Sequence, residues 1–480
     1  MRKLVTLTVV IAMTLPVTCF AEDEIKIGFM WILSGRLAVF GNVAKQGAEL
    51  AIEQINKAGG IDGRKVVGLF EDDEGKPDKG MGIAEKFVTQ DRVQAVMGIV
   101  SSGVAEKVSE QMNHLKVPLI ITTAMTNTVT GDKCNRYTFR VTWTTDQSLN
   151  SAARLAAQTT AKTWTTIGPD YVFGHESWDL FQKFLGQTKK DVKFLPKSDV
   201  VFAPLTTTDW EPYIKKLMQS GADGVMVSLF SGNAIDFVRQ ANRMGFFSPD
   251  RTVLMSVAGS VDVVLGLGSD LPPGVWMGTP YWFEANQSEA NRRFVAEYQA
   301  KFKQPPSYIA ETTYSAVMFY AEAVKRSGGT STDGVINALR GMELDLPAGK
   351  VTIRPEDHQA LFDVVWGRAS PKISLTDQRK VFRSWDPIVL FSQSGAAQPK
   401  RSRMQHEIRG YPTRAKRSNL QSPNSGDCFV SLLLAMTTFR AQLSDYHLCP
   451  RLVDNNLSDR VNLRQENKIL ELFTRQRTTD

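Results

Sequence analysis

A chain of 480 residues has room for two or three domains and a large buried core. Its 42% hydrophobic and 22% charged residues are ordinary for a folded globular protein. The formal charge of +7 is uneven: from Ala396 onward 14 Lys/Arg stand against 8 Asp/Glu, which leaves the rest near neutral and offers nucleic acid no basic surface.

The first residues read as a targeting segment. Met1-Arg2-Lys3 precedes an apolar run over 4–17, and Cys19-Phe20-Ala21 leads into Glu22-Asp23-Glu24. This order of basic, apolar and small residues predicts a signal peptide over 1–21, cut after Ala21, and hence export. A lipid attached at Cys19 fits poorly beside Pro16 and Thr18. The run is shorter than the roughly 20 residues a membrane helix needs, and 429–436 is shorter still. Four cysteines, Cys19, Cys134, Cys428 and Cys449, are too few and too scattered for a disulfide scaffold or a zinc site.

Further on, strands alternate with helices. Residues 24–30 alternate in polarity and predict a strand, and 40–58 carry Ala44, Ala48, Ala51 and Ile55 on one helical face that Gly59-Gly60 ends. A second strand over 65–70 leads into the acidic loop 71–75, and Pro77-Asp78 opens a helix. The stretch 95–126 is the most informative. An apolar run stops at Ser101-Ser102-Gly103, a helix follows with Val104, Val108, Met112 and Leu115 on one face, and a second short strand ends in Thr122, Thr123 and Thr126. In open α/β sheets ligands sit beyond the carboxyl ends of the strands, and free amides at a helix start suit an anion. The same serines and threonines could equally serve as caps.

A second alternating series follows. Helices are predicted over 150–158, 209–221, 234–245, 286–302 and 309–326, and through Trp178, Phe181 and Leu185. Strands are predicted over 163–167, 224–229, 253–256, 274–278 and 361–367. The pattern implies an α/β protein with two doubly wound lobes of similar size. The turn after the first strand, Leu33-Ser34-Gly35-Arg36, is not the G-x-G-x-x-G of a dinucleotide site, which weighs against a dinucleotide-dependent enzyme. No nucleophile, histidine and acid stand together; His175 is the one histidine near the expected cleft.

These stretches resemble the periplasmic solute-binding proteins of ABC importers, in the leucine/isoleucine/valine-binding group with its type I binding-protein fold. The likeness rests on IKIGF, GAELAIEQINKAGGIDGRKV, EDDEGKPDKG, the SSG and ITTAMT turns, DYVFG, TDWEPYIKKLMQSGADGVMV, FSGNAIDFVRQANRMG and PPSYIAETTYSAVMFYAEAVKRSGG, in order over 24–367. It implies two lobes joined by three crossovers, 22–140 with 281–345 and 141–280 with 346–393, closing on a ligand. It also implies a non-enzymatic, small-molecule binding role without cofactor or metal: capture in the periplasm of a branched-chain amino acid, related carboxylate or aromatic acid, and delivery by a monomer to an inner-membrane permease. A ligand-sensing domain of a signalling system is the alternative.

Transferred residue by residue, the resemblance implies that Ser101, Ser102, Ala124 and Thr126 grip the ligand carboxylate. Phe40 from one lobe and Tyr171 and Phe230 from the other would enclose its side chain. Two departures stand out. Where amino-acid binders carry an acid for the α-ammonium, this chain reads Ser256-Val257-Ala258-Gly259-Ser260, with no acid before Asp262. An unpaired ammonium in a closed cleft is costly, so a ligand without an α-amino group is expected. Arg36 replaces a proline common in the family. The basic tail, 394–480, has no family likeness; an amphipathic pattern covers 459–476, and disorder is expected for most of it.

Overall fold

The computed structural model describes residues 24–377 and 380–392; the expected signal peptide and most of the tail lie outside the described residues. The first half alternates regularly: β1 (Ile25–Trp31), α1 (Ala38–Lys57), β2 (Val66–Asp72), α2 (Pro77–Thr89), β3 (Ala95–Gly98), α3 (Ser102–Leu115), β4 (Leu119–Ile121) and β5 (Thr138–Arg140). These strands form one parallel sheet in the order β2-β1-β3-β4-β5, with Ile27 opposite Ala95 and Gly98 opposite Ile121.

The second half runs α4 (Thr145–Ala157), β6 (Thr163–Pro169), α5 (Val172–Thr188), β7 (Lys193–Phe194), β8 (Val201–Ala203), α6 (Glu211–Gln219), β9 (Gly224–Val227), α7 (Ser231–Arg243), β10 (Thr252–Met255), α8 (Val261–Leu267) and β11 (Trp276–Thr279). The chain then adds α9 (Glu289–Phe302), α10 (Tyr308–Ser327) and α11 (Thr332–Leu339). A three-stranded antiparallel sheet of β12 (Glu343–Leu346), β13 (Gly349–Ile353) and β14 (Ala360–Leu361) follows, before the long strands β15 (Val364–Asp377) and β16 (Lys380–Phe391). The second large sheet has the order β16-β15-β11-β10-β9-β6-β7, with β8 beside β6; β15 and β16 are its antiparallel members.

Three passes join the halves. The first lies between β5 and α4 and the second between β11 and α9, because α9 and α10 return to the first sheet. Tyr298 donates to Gln46, Tyr314 to Gln54 and Lys301 to Glu53, all on α1. The third lies at 362–363, between β14 and β15. The expected division at 345/346 falls within β12. Residues 343–361 stay with the first sheet because buried Arg140 donates to Gln359 (2.7 Å) and the two backbones form a bridge.

Apolar periodicity explains most elements. Ala44, Ala48, Ala51 and Ile55 of α1 are buried as the spacing predicts, and Gly59 and Gly60 end the helix at φ +96° and +78°. Helix α4 begins five residues earlier than expected, since Thr144 and Gln147 form a reciprocal capping box. One core lies between the first sheet and α2/α3 (Met30, Phe87, Val108, Ile121). Another fills the second half (Trp210, Phe237, Val264). The largest runs from α1 and α10 through the passes to α4 and α5 (Phe29, Trp143, Phe181, Tyr320).

Candidate functional site

The carboxyl edges of both large sheets face one cavity of about 630 Å³ between the halves, within the range of small-molecule sites. On the first half, the turn after β3 shapes its wall. Gly98 has φ +121° and Ile99 φ +70°, an outlier for a β-branched residue. A Cβ on Gly98 would stand 2.3 Å from the Met30 carbonyl oxygen. The bend brings Val100, Ser101 and Ser102 to the cavity. Ser101 is the N-cap of α3, yet its side chain makes no cap hydrogen bond. The first amide bonded within this turn is that of Ala105, to Ser101 O, so the preceding amides and the positive end of the helix dipole are open to an anion.

The turn after β4 presents alternate residues. All of Thr122–Thr126 are buried, but only Thr123 and Met125 of these line the cavity. The expected Ala124 and Thr126 are therefore not brought to it. The Ala124 carbonyl accepts from Arg140 (3.5 Å), and the Thr126 hydroxyl donates to Glu106 (3.0 Å) and pairs with Thr128 (2.7 Å). These residues lie in the turn beyond β4, where strand alternation gives no guide, so no sequence signal singled out Thr123.

The structure brings the aromatic residues together at this cavity. Phe40, Tyr171 and Phe230 all line the cavity, joined by Phe173. Phe40 and Phe230 face each other across the halves with ring centroids 6.0 Å apart, Phe230 and Phe173 are 6.0 Å apart, and Phe173 and Tyr171 6.1 Å apart. Burial holds the Tyr171 hydroxyl well above its ordinary pKa, so it stays protonated. Val257 is what the stretch 256–260 contributes, and Tyr308 closes the wall. Neither was foreseen as a site residue.

Glu74 is the sole carboxylate among the lining residues. Lys76 and Lys79 hold it at 2.6 and 2.7 Å, and their hydrogen bonds keep it below the usual carboxylate range. Beneath this rim, fully buried Asp73 accepts from the Gly75 amide (2.8 Å), and burial pushes its carboxyl up to about 6. Arg36 lies in the turn Gly35–Leu37; its side chain is outside what is described. His175 is not at the cavity; it pairs with Asp170 (2.9 Å) and lies over Phe202. No cluster of metal-binding side chains occurs among the described residues.

The Periplasmic binding protein family profile matches residues 24–371, most of the chain. The chain belongs to this family. As a periplasmic binding protein it is a binder rather than an enzyme, and the family places it in the periplasm. It is similar to Leu/Ile/Val-binding protein homolog 8 of Brucella abortus, 26% identical over 360 residues, which cover 73% of this chain and 87% of that one. A leucine-, isoleucine-, valine-, threonine- and alanine-binding protein of Pseudomonas aeruginosa is 25% identical over 338 residues, 69% of this chain and 86% of its own. Among solved structures, an ABC-transporter solute-binding protein of Rhodopseudomonas palustris BisB5, in complex with 3,4-dihydroxybenzoic acid, superposes with a TM-score of 0.68 at 23% identity, covering 77% of this chain and 97% of that one. A branched-chain amino acid transporter protein from Rhodopseudomonas palustris CGA009 gives 0.63 at 24% identity, covering 77% and 97%. Both share the fold, two parallel-sheet halves around a cleft.

Proposed function

We propose that this periplasmic binding protein captures a small carboxylic acid lacking an α-ammonium, with an aromatic or aliphatic body, and hands it to an inner-membrane ABC permease. One observation carries the reading: the cavity offers hydroxyls and helix amides to a carboxylate, but none of its lining residues offers an unpaired carboxylate to an ammonium. Ser101, Ser102 and Thr123 supply donors, and Phe40, Phe173 and Phe230 supply an apolar body. Glu74 is already neutralised by two lysines. Burying an ammonium there without a partner would cost several kcal/mol, of the order found for other unpaired buried charges. The dihydroxybenzoate held by the Rhodopseudomonas relative is such an acid and supports the reading.

The same reading makes residues 24–140 with 281–361 one lobe and 141–280 with 364–391 the other, hinged at the three passes, with 1–21 a cleaved export signal. The Phe40–Phe230 contact would form on closing and part on opening. The near-neutral body offers nucleic acid no basic surface, and action as a monomer without a cofactor belongs to the same reading.

Calorimetric titration and thermal shift of the purified chain test this, with benzoate, 4-hydroxybenzoate, 3-methylbutanoate, leucine, isoleucine and valine as probes. At 100 times Kd a bound acid adds about 2.7 kcal/mol to stability and raises Tm. Stabilisation by leucine but by none of the acids would overturn the proposal.

A further inference from the structure

Several buried tyrosines of the first half are paired: Tyr281 donates to Asn291, Tyr298 to Gln46 and Tyr314 to Gln54. Tyr308 is different. It is the first residue of α10 and only 7% exposed, with its ring in the main core. It lines the cavity, and its hydroxyl forms no hydrogen bond with any described residue. The fully buried hydroxyls left without a partner include that of Tyr320 but not that of Tyr308; the Tyr308 hydroxyl opens onto the cavity, where a ligand group can replace water as its partner.

Its position is set by its own helix. One turn further on, Thr312 donates to the Thr122 carbonyl (2.8 Å), and side chains four apart share a helix face. Tyr308 therefore stands about one turn, roughly 5.4 Å, nearer the carboxyl edge of the first sheet, beside the turn that presents Thr123. Across the cleft lies Val257. Burial, with the negative field of Asp262 added, holds the phenol far above its ordinary pKa. It remains a protonated O–H throughout the physiological range.

We propose that Tyr308 is a specificity-determining residue of the cleft, whose hydroxyl donates a hydrogen bond to the ligand carboxylate together with Ser101, Ser102 and Thr123. This deepens the reading of the site as an acid binder and rests on it. The hydroxyl, wetted at the cavity wall, exchanges water for the ligand carboxylate on binding.

The test uses the full chain with benzoate, 4-hydroxybenzoate and benzyl alcohol as probes, comparing the parent with Tyr308→Phe and Tyr281→Phe by calorimetric titration and by Tm without ligand. Tyr308→Phe should weaken both acids about tenfold, narrow the preference for benzoate over benzyl alcohol by the same factor, and leave the ligand-free Tm nearly unchanged. Tyr281→Phe, which removes a bonded hydroxyl away from the cavity, should lower Tm and leave affinity alone. Unchanged acid affinity in Tyr308→Phe, or a loss of Tm in parallel with affinity, would overturn the assignment of Tyr308 while leaving the acid-binding reading intact. Failure of the parent to bind either acid would overturn that reading and this inference with it.

Discussion

Ser101 illustrates how a residue can occupy a structural position without performing the structural task. It sits at the N-cap of α3 in an extended conformation, but its side chain makes no cap bond. A serine that only capped would be missed by the helix. This one, with Ser102, is predicted to be missed by the ligand. Ser101→Ala and Ser102→Ala should each weaken acid binding by about 10- to 100-fold, the 1.5–3 kcal/mol of a hydrogen bond to a charged group, with Tm of the free protein nearly unchanged. A Tm loss of several degrees with normal binding would return both serines to capping. Thr126 is the reverse case. Its hydroxyl is committed to Glu106 and Thr128, so Thr126→Val should cost stability and spare affinity.

Elements are positioned by short-range features that sequence periodicity misses. The apolar stripe of α4 begins at Leu149, yet the helix starts at Thr145 because Thr144 accepts from the Gln147 amide (2.9 Å) and the Gln147 side chain accepts from the Thr144 amide (2.8 Å). Thr144→Ala is expected to cost about 1 kcal/mol, visible as a lower denaturant midpoint, whereas Thr144→Ser should hold it. Gly60 follows α1 with φ +78°, and a Cβ there would lie 2.2 Å from the Arg64 carbonyl oxygen. Gly60→Ala should therefore cost more than the 1 kcal/mol that backbone entropy could return. Both elements hold the walls of the cleft. Helix α1 carries Phe40, and α4 opens directly from the first pass between the halves.

For the whole molecule, the three passes converge on one buried acid. Glu311 is 2% exposed and lines a small void with Val141, Pro280 and Phe362, one residue beside or within each pass. It accepts from Ser315 (2.6 Å) and the Ala348 amide (3.3 Å), while burial pushes its carboxyl up to about 7. The folded state therefore holds this proton more tightly than the unfolded chain. The resulting stability is fully present below about pH 4.5 and is lost as pH rises through 7, about 3 kcal/mol in all. Asp73, pushed up to about 6 by burial, has the same sign. His358 opposes them: burial lowers it to about 4, so its contribution is present above about pH 6.5 and is lost as pH falls through 4. Glu311→Gln should flatten the decline in Tm between pH 5 and 8 and raise stability at pH 8. A profile identical to the parent would refute this.

Much of this was legible in the chain itself. The alternation of apolar runs, with Gly59-Gly60 and Pro77 as punctuation, determined the two α/β halves, because burial on one face imposes a period that local composition displays. The strand-end serines and the aromatics Phe40, Tyr171 and Phe230 could be named because they lie at or within the first turn of helices that follow strand ends. The absent acid at 256–260 was equally plain. Only the tertiary structure decided which of Thr122 to Thr126 line the cavity, since the path of an irregular turn is set by what packs against it. It alone decided that 343–361 stays with the first sheet, through an Arg140–Gln359 contact spanning 219 positions. It alone brought Tyr308 and Glu311 from one helix to the cleft and to the passes between the halves, because their surroundings depend on which distant segments pack against them.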